Sequence, residues 1–188
     1  LPNCPCYVRF ASIQAFTNTY APVGYLESIF TEVIDDPDVK VLSIATRPDC
    51  LGDDVIALLG KLNQIKPVWV ELGLQTIHPE TARFIRRGYD TEVFDHAVQR
   101  LRSAGIEVIV HIILYLPGET EDMMLQTIDY LDHSDIQGIK LQLLHILKGT
   151  DLAGIYRQKP FYVPDMETYI CMLGRCISDL RPDIVVHR

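Results

Sequence analysis

Short β-branched apolar runs recur along this chain at near-regular spacing, with a helical stripe between most of them. The runs occupy Ser12–Phe16, Val41–Ala45, Val68–Leu72, Glu107–Leu114 and Gly138–Leu144, so their starts lie 27 to 39 residues apart. Leu26, Ile29, Phe30 and Val33 repeat at helical spacing behind Pro22, a suitable first-turn proline. Val55, Leu58, Leu59 and Leu62 do so after Asp53, a candidate N-cap. Val93, Phe94, Ala97, Val98 and Leu101 form a third stripe, closed by Gly105 in the helix-ending position. Met123, Met124, Ile128 and Leu131 follow Thr120, and Tyr169, Leu173, Cys176 and Leu180 follow Asp165. Strand and helix in alternation dictate parallel strands joined by right-handed crossovers.

Two architectures satisfy that pattern, a doubly wound open sheet and a (β/α) barrel. No G-x-G-x-x-G follows the first run, which removes the main support for a dinucleotide-binding sheet. Gln14, Gln75, His111, Gln142 and His145 interrupt otherwise apolar strands, as expected where strands line a functional lumen. The 188 residues fall short of the roughly 250 that eight units need. The expectation is therefore α/β, a partial (β/α) barrel.

Composition narrows the function classes. An apolar content of 48% excludes a disordered chain. The longest apolar run, Val108–Leu116, contains His111 and is far shorter than the roughly 20 residues of a membrane span. The net charge of −8 argues against non-specific binding to nucleic acid. Five cysteines, Cys4, Cys6, Cys50, Cys171 and Cys176, do not form an even framework, so the cytoplasm is the expected compartment. Cys50, Cys171 and Cys176 read as small, partly or wholly buried residues.

In a fold of this kind the active edge lies at the carboxyl ends of the strands. Those ends carry Gln14 to Thr19, Ala45 to Asp49, Glu71 to Gln75, His111 to Glu119 and Leu144 to Thr150. They concentrate amides, hydroxyls, basic groups and turn glycines. The opposite loops, 35–38, 64–67 and 134–137, are plain polar turns.

The segments QAFTNTYAP (14–22), SIATRPDCL (43–51), VELGLQTIH (70–78), IRRGYD (85–90), VHIILYLPGETEDMM (110–124) and GIKLQLLHILKGTDL (138–152) follow one another in a known order. Together they closely resemble radical S-adenosylmethionine (SAM) proteins related to the Elp3 catalytic subunit and to the oxygen-independent coproporphyrinogen oxidase. The nearest likeness is to a small bacterial subfamily linked to modification of the tRNA wobble uridine.

The resemblance implies a partial (β/α)6 barrel with a [4Fe–4S] cluster on three cysteine thiolates, the fourth iron being left for SAM. Reductive cleavage of SAM then yields a 5′-deoxyadenosyl radical. It implies Cys4 and Cys6 as cluster ligands, residues 1–11 as the remnant of a cluster-binding segment lacking its first strand, and residues 12–188 as the barrel. Two thiolates are too few for such a cluster, so the chain as it stands is expected to be inactive.

For SAM, the resemblance points to the Thr17-Asn18-Thr19 turn at the amino group, with Thr46 beside it. It further points to Gln75, to Arg87 on the SAM carboxylate, to His111 at the ribose, to Pro117 along the adenine, and to His145 in contact with either the adenine or the substrate. An arginine fork suits a carboxylate where lysine would not. Two positions depart from the relatives' pattern: Ala45 stands where a glutamate is usual, and Tyr115 where a glycine is usual. Implied partners are a tRNA substrate, an electron donor such as a flavodoxin or ferredoxin, and a methyltransferase. Two other readings compete, a Schiff-base barrel enzyme using Lys148 and a non-catalytic binding module.

Overall fold

The computed structural model describes residues 9–14 and 17–187. Strand and helix alternate as the spacing predicts. In chain order the elements are β1 (Arg9–Ile13), α1 (Val23–Asp35), β2 (Val39–Thr46), α2 (Asp53–Asn63), β3 (Val68–Gln75), α3 (Pro79–Phe84) and α4 (Thr91–Ser103). Then come β4 (Glu107–Leu114), α5 (Glu121–Asp132), β5 (Gly138–Leu143), α6 (Asp151–Gln158), α7 (Met166–Ser178) and β6 (Val185–His187). The six strands are parallel and form one sheet in the order β1-β2-β3-β4-β5-β6. A doubly wound sheet reverses at a switch point; here every right-handed crossover advances the same way. The fold class is α/β, a partial (β/α)6 barrel.

The chain divides into two compact units. The first comprises residues 1–73 and 92–110. Its core is built from Phe30 and Ile34 of α1, Leu42 and Ile44 of β2, Leu59 of α2, and Phe94 and Leu101 of α4, all fully buried. The second comprises residues 74–91 and 111–188. Ile112, Met124, Ile128, Leu131, Ile139, Met172 and Cys176 are among its buried apolar groups.

Local chemistry explains most element boundaries. Thr120 and Asp165 cap α5 and α7, their side chains accepting from the main-chain N–H of Met123 and Thr168 at 3.3 and 2.8 Å. Gly105 closes the α4 turn with φ +75°, a conformation that costs other residues a Cβ clash. Pro22 is the N-cap residue of α1 and lies one place before the first turn, because its ψ of 135° is extended. Gly52 caps α2, and Asp53 and Asp54 occupy the first turn, where carboxylates meet the positive end of the helix.

Three differences from the sequence expectation concern placement. The first strand begins at Arg9, so β1 extends into the 1–11 segment. Cys171 is exposed while Cys176 is buried, its thiol pushed up to about 11 by burial and by Asp179. The sixth strand, β6, pairs with β5 through Gly138–Val185 to Lys140–His187. The approach to β6 is pinned by Arg181, whose guanidinium donates to the carbonyls of Asp132, Ser134 and Ile136. Among the described residues no helix is long and apolar enough to cross a membrane.

Candidate active site

In the first unit lie the strand-end groups of β1 and β2, with Glu71 of β3. Asn18 ties the turn after β1 to the end of β2: its Nδ2 donates to the carbonyls of Ile13 and Ala45 at 3.0 and 2.8 Å. Thr19 and Thr46 are both buried, and their hydroxyls meet at 2.5 Å. Thr19 Oγ1 also reaches the Cys50 carbonyl at 2.7 Å. The structure thus brings Asn18, Thr19 and Thr46 together, and their side chains build the turn itself. Thr17 beside them is half-buried. Arg47 forks onto Asp49 at 2.9 and 2.7 Å and holds that carboxyl below the ordinary range.

Glu71 of β3 carries a role that sequence reasoning left unassigned. It is buried among apolar strand residues. Ser43 Oγ donates to its Oε1 at 2.5 Å, and Gln14 Nε2 donates to both carboxylate oxygens at 3.1 and 2.9 Å. A buried carboxylate persists only when hydrogen bonds replace water. The available signal was a lone charge inside the run Val68-Trp69-Val70-Glu71-Leu72.

In the second unit, backbone strain collects at two strand ends and in the turn after α3. Gln75 (φ 64°), Arg86 (φ 58°) and Tyr115 (φ 62°) all adopt the left-handed conformation. Such positions persist where surrounding structure over-determines them, and they cluster at functional sites. Gln75 is the last residue of β3, and Tyr115 follows β4 directly. The Tyr115 ring is buried, 5.9 Å from that of Tyr162, and its hydroxyl points to the Thr168 carbonyl. A tyrosine thus fills a slot whose backbone suits glycine, because its ring gains a buried place against the chain around α7.

Arg87 is 6% exposed and donates into the backbone that brackets Gln75. Nη1 reaches the carbonyls of Leu74 (3.2 Å) and Thr76 (2.7 Å), and Nε that of Tyr89 (2.8 Å). Nη2 approaches Thr91 Oγ1 at 3.3 Å, and the guanidinium lies 4.9 Å from the Tyr89 ring centroid. A fork onto a SAM carboxylate would have to displace several of these bonds. In this structure the guanidinium serves the loop.

Thr76 joins the loops after β3 and β4 by donating to Glu119 at 2.5 Å, and the His78 main-chain N–H donates to Thr76 Oγ1. Burial pushes the Glu119 carboxyl up, against the opposing pull of Thr76, Thr81 and His78. With the native value above the ordinary 4.5, the folded state keeps a proton that the unfolded chain has lost. This contribution to stability is full below the ordinary glutamate range and is lost as pH rises through the native value. Glu119→Gln is expected to remove it: melting curves between about pH 4.5 and 7 should show wild type losing stability relative to the variant. Parallel curves would contradict the assignment.

His111 and Pro117 are half-buried, whereas His145 and Lys148 are exposed in the loop after β5. The structure does not gather His145 into an enclosed site. A cavity of about 330 Å³ opens between Phe84, Ile113, Leu116, Leu144, Leu152 and Ile155, with Arg86 and Asp151 among its lining. Three of those apolar residues, from α3, β4 and the loop after β5, come from separate parts of the chain, and sequence reasoning did not select them. Among the described residues no three Cys, His, Asp or Glu side chains are placed to share a metal. Cys4 and Cys6 lie outside the described residues.

These strand ends coincide with a known sequence profile. The profile of the radical SAM superfamily matches residues 12–131, and that of the radical SAM C-terminal domain matches residues 136–188. The chain belongs to the radical SAM superfamily. Among curated relatives of this superfamily member, the Bacillus subtilis protein YtqA is 44% identical over 95% of the chain and 55% of its own length. The tRNA uridine(34) acetyltransferase of Methanocaldococcus jannaschii is 30% identical over 64% of the chain and 23% of its own length. The chain therefore spans about half the length of YtqA. Among solved structures, Methanocaldococcus infernus Elp3 with an N-terminal deletion superposes with a TM-score of 0.84 at 20% identity, over 95% of this chain and 47% of its own. Escherichia coli coproporphyrinogen III oxidase, HemN, does so at 0.69 and 17%, over 90% and 39%. At those identities the likeness establishes the shared radical SAM fold.

Proposed function

We propose that this radical SAM chain is the SAM-binding barrel of an enzyme that modifies the wobble uridine of tRNA. The observation that carries the reading is the superfamily match, which runs through the strand-end segments just described. The similarity to a tRNA uridine(34) acetyltransferase supports the substrate class. SAM, reduced through a [4Fe–4S] cluster, supplies a 5′-deoxyadenosyl radical for hydrogen abstraction. Cys4 and Cys6, which lie outside the described residues, would be ligands of that cluster.

The chain's own residues fit SAM in two places. The apolar cavity floored by Ile113, Leu116 and Leu144 suits an adenine ring, which gains by leaving water. Gln75, its backbone held by Arg87 through the flanking carbonyls and its Oε1 3.4 Å from the Tyr89 hydroxyl, offers its amide nitrogen to the polar end of the ligand, with His111 and Pro117 on β4 and its loop. Thr17, Asn18, Thr19 and Thr46 fix the turn whose main chain receives the amino group. His145 stays an adenine-side contact in this proposal. A flavodoxin- or ferredoxin-type donor and a methyltransferase acting on the product complete it as partners.

Gln75→Gly separates stability from binding. Glycine relieves the left-handed strain, so the variant is expected to gain about 0.5–1 kcal/mol in chemical denaturation. Losing the amide should weaken SAM binding by about tenfold. A destabilised variant with intact binding would contradict both parts.

The reading itself is tested on the full-length protein after anaerobic iron and sulfide reconstitution. The expected product from SAM is 5′-deoxyadenosine, and cells lacking the gene should show altered wobble uridines in tRNA nucleoside mass spectra. Absence of deoxyadenosine would overturn the radical chemistry, and unchanged wobble uridines would overturn the substrate. The Schiff-base alternative finds little support, because Lys148 is exposed and lacks the apolar enclosure that activates such an amine.

A further inference from the structure

A second cavity, of about 430 Å³, adjoins the apolar one and differs from it in chemistry. Arg86, Gly149, Thr150, Asp151, Gly154 and Arg157 contribute to its lining. It shares Arg86, Thr150, Asp151 and Ile155 with the apolar cavity, so the two are neighbours. Two guanidiniums on one cavity run against the chain's net charge of −8. Among the described residues Arg157 has no hydrogen-bond or ion-pair partner. Arg86 pairs with Asp151 at 2.8 Å, but both side chains are 76% exposed, and exposed pairs of this kind hold weakly and exchange readily.

The glycines point the same way. Gly149 turns the loop after β5 with φ +85°, and a Cβ there would meet nothing. Gly154 sits inside α6, where glycine lowers helix stability relative to alanine. A Cβ at 154 would also meet nothing, so packing within the chain does not require glycine. Its absence of a side chain leaves the cavity wall bare for an approaching group. Two guanidiniums lining one cavity are the donors that phosphate oxygens take, and the bare glycine wall leaves them accessible; the Thr150 hydroxyl is already engaged, donating to the Leu147 carbonyl at 2.8 Å.

We infer that the Arg86–Arg157 cavity docks a backbone phosphate of the RNA substrate, next to the apolar cavity assigned to adenine. The inference rests on the tRNA reading for the class of substrate. Arg157 is the discriminating residue because it lines the polar cavity and not the apolar one. The phosphate sits between the two guanidiniums, and Asp151 gives up its exposed partner.

The test titrates the full-length protein with a labelled single-stranded oligoribonucleotide and with tRNA over a range of salt. Arg157→Gln is expected to weaken both by about three- to tenfold at moderate salt and to flatten the slope of log K against log salt by about 0.7–0.9. Arg157→Lys should recover part of the affinity, and the melting temperature should not move, which separates charge from structure. An unchanged salt slope in Arg157→Gln overturns the inference. So does wild-type protein that binds neither RNA, or displacement as readily by inorganic phosphate or polyglutamate as by the oligoribonucleotide. Arginine-dependent RNA binding together with unchanged wobble uridines would leave the phosphate site standing and remove the substrate assignment alone.

Discussion

Arg87→Ala is expected to lower the unfolding free energy by about 3–5 kcal/mol, the largest single-residue effect at the strand ends. The guanidinium serves three main-chain carbonyls, and its two Nη1 bonds are buried. Truncation strands the carbonyls of Leu74 and Thr76 where water is scarce, each at about 1–3 kcal/mol, and frees a residue held at φ 64° between them. Arg87→Lys should recover less than half, since one ammonium cannot span acceptors on both sides of Gln75. Chemical denaturation near neutral pH measures both. A loss under 1 kcal/mol with strongly weakened SAM binding would instead give Arg87 to the SAM carboxylate directly.

Glu71→Ala is expected to cost about 2–4 kcal/mol. The substitution leaves a void in β3 and strips the acceptor that Ser43 and Gln14 share. Glu71→Gln should cost much less. Its oxygen still accepts from Ser43, and Gln14 can turn its own amide to offer oxygen to the new nitrogen. Denaturation of the two variants side by side decides it, and an alanine variant within 0.5 kcal/mol of wild type would show that the network holds nothing.

Periodicity made most of the fold legible, because each helix buries one stripe and each strand is bounded by turn residues. The caps at Thr120 and Asp165 and the turn at Gly105 could be read locally. β6 could not: three residues carry no usable period, and the strand is held through Arg181 by carbonyls more than 40 positions away. α6 escaped notice because Gly154 dilutes a helix of only 8 residues. Cys171 and Cys176 could not both face the core, since five positions along a helix turn a side chain by about 140°.

At the site, ordered motif segments located the rim, while the roles of its residues depended on partners far along the chain. Thr19 and Thr46 are 27 positions apart, and Thr76 and Glu119 are 43 apart. Nothing in IRRGYD discloses that the Arg87 guanidinium donates to main-chain carbonyls.

The strand order carries a consequence for how the protein is made. Every strand lies beside the one synthesised just before it, so no segment leaving the ribosome waits for a distant sheet partner. Contacts that close over short stretches of chain cost little loop entropy and form early. The sheet can therefore lengthen one strand at a time during translation, its newest strand needing shielding from aggregation only until the next unit arrives.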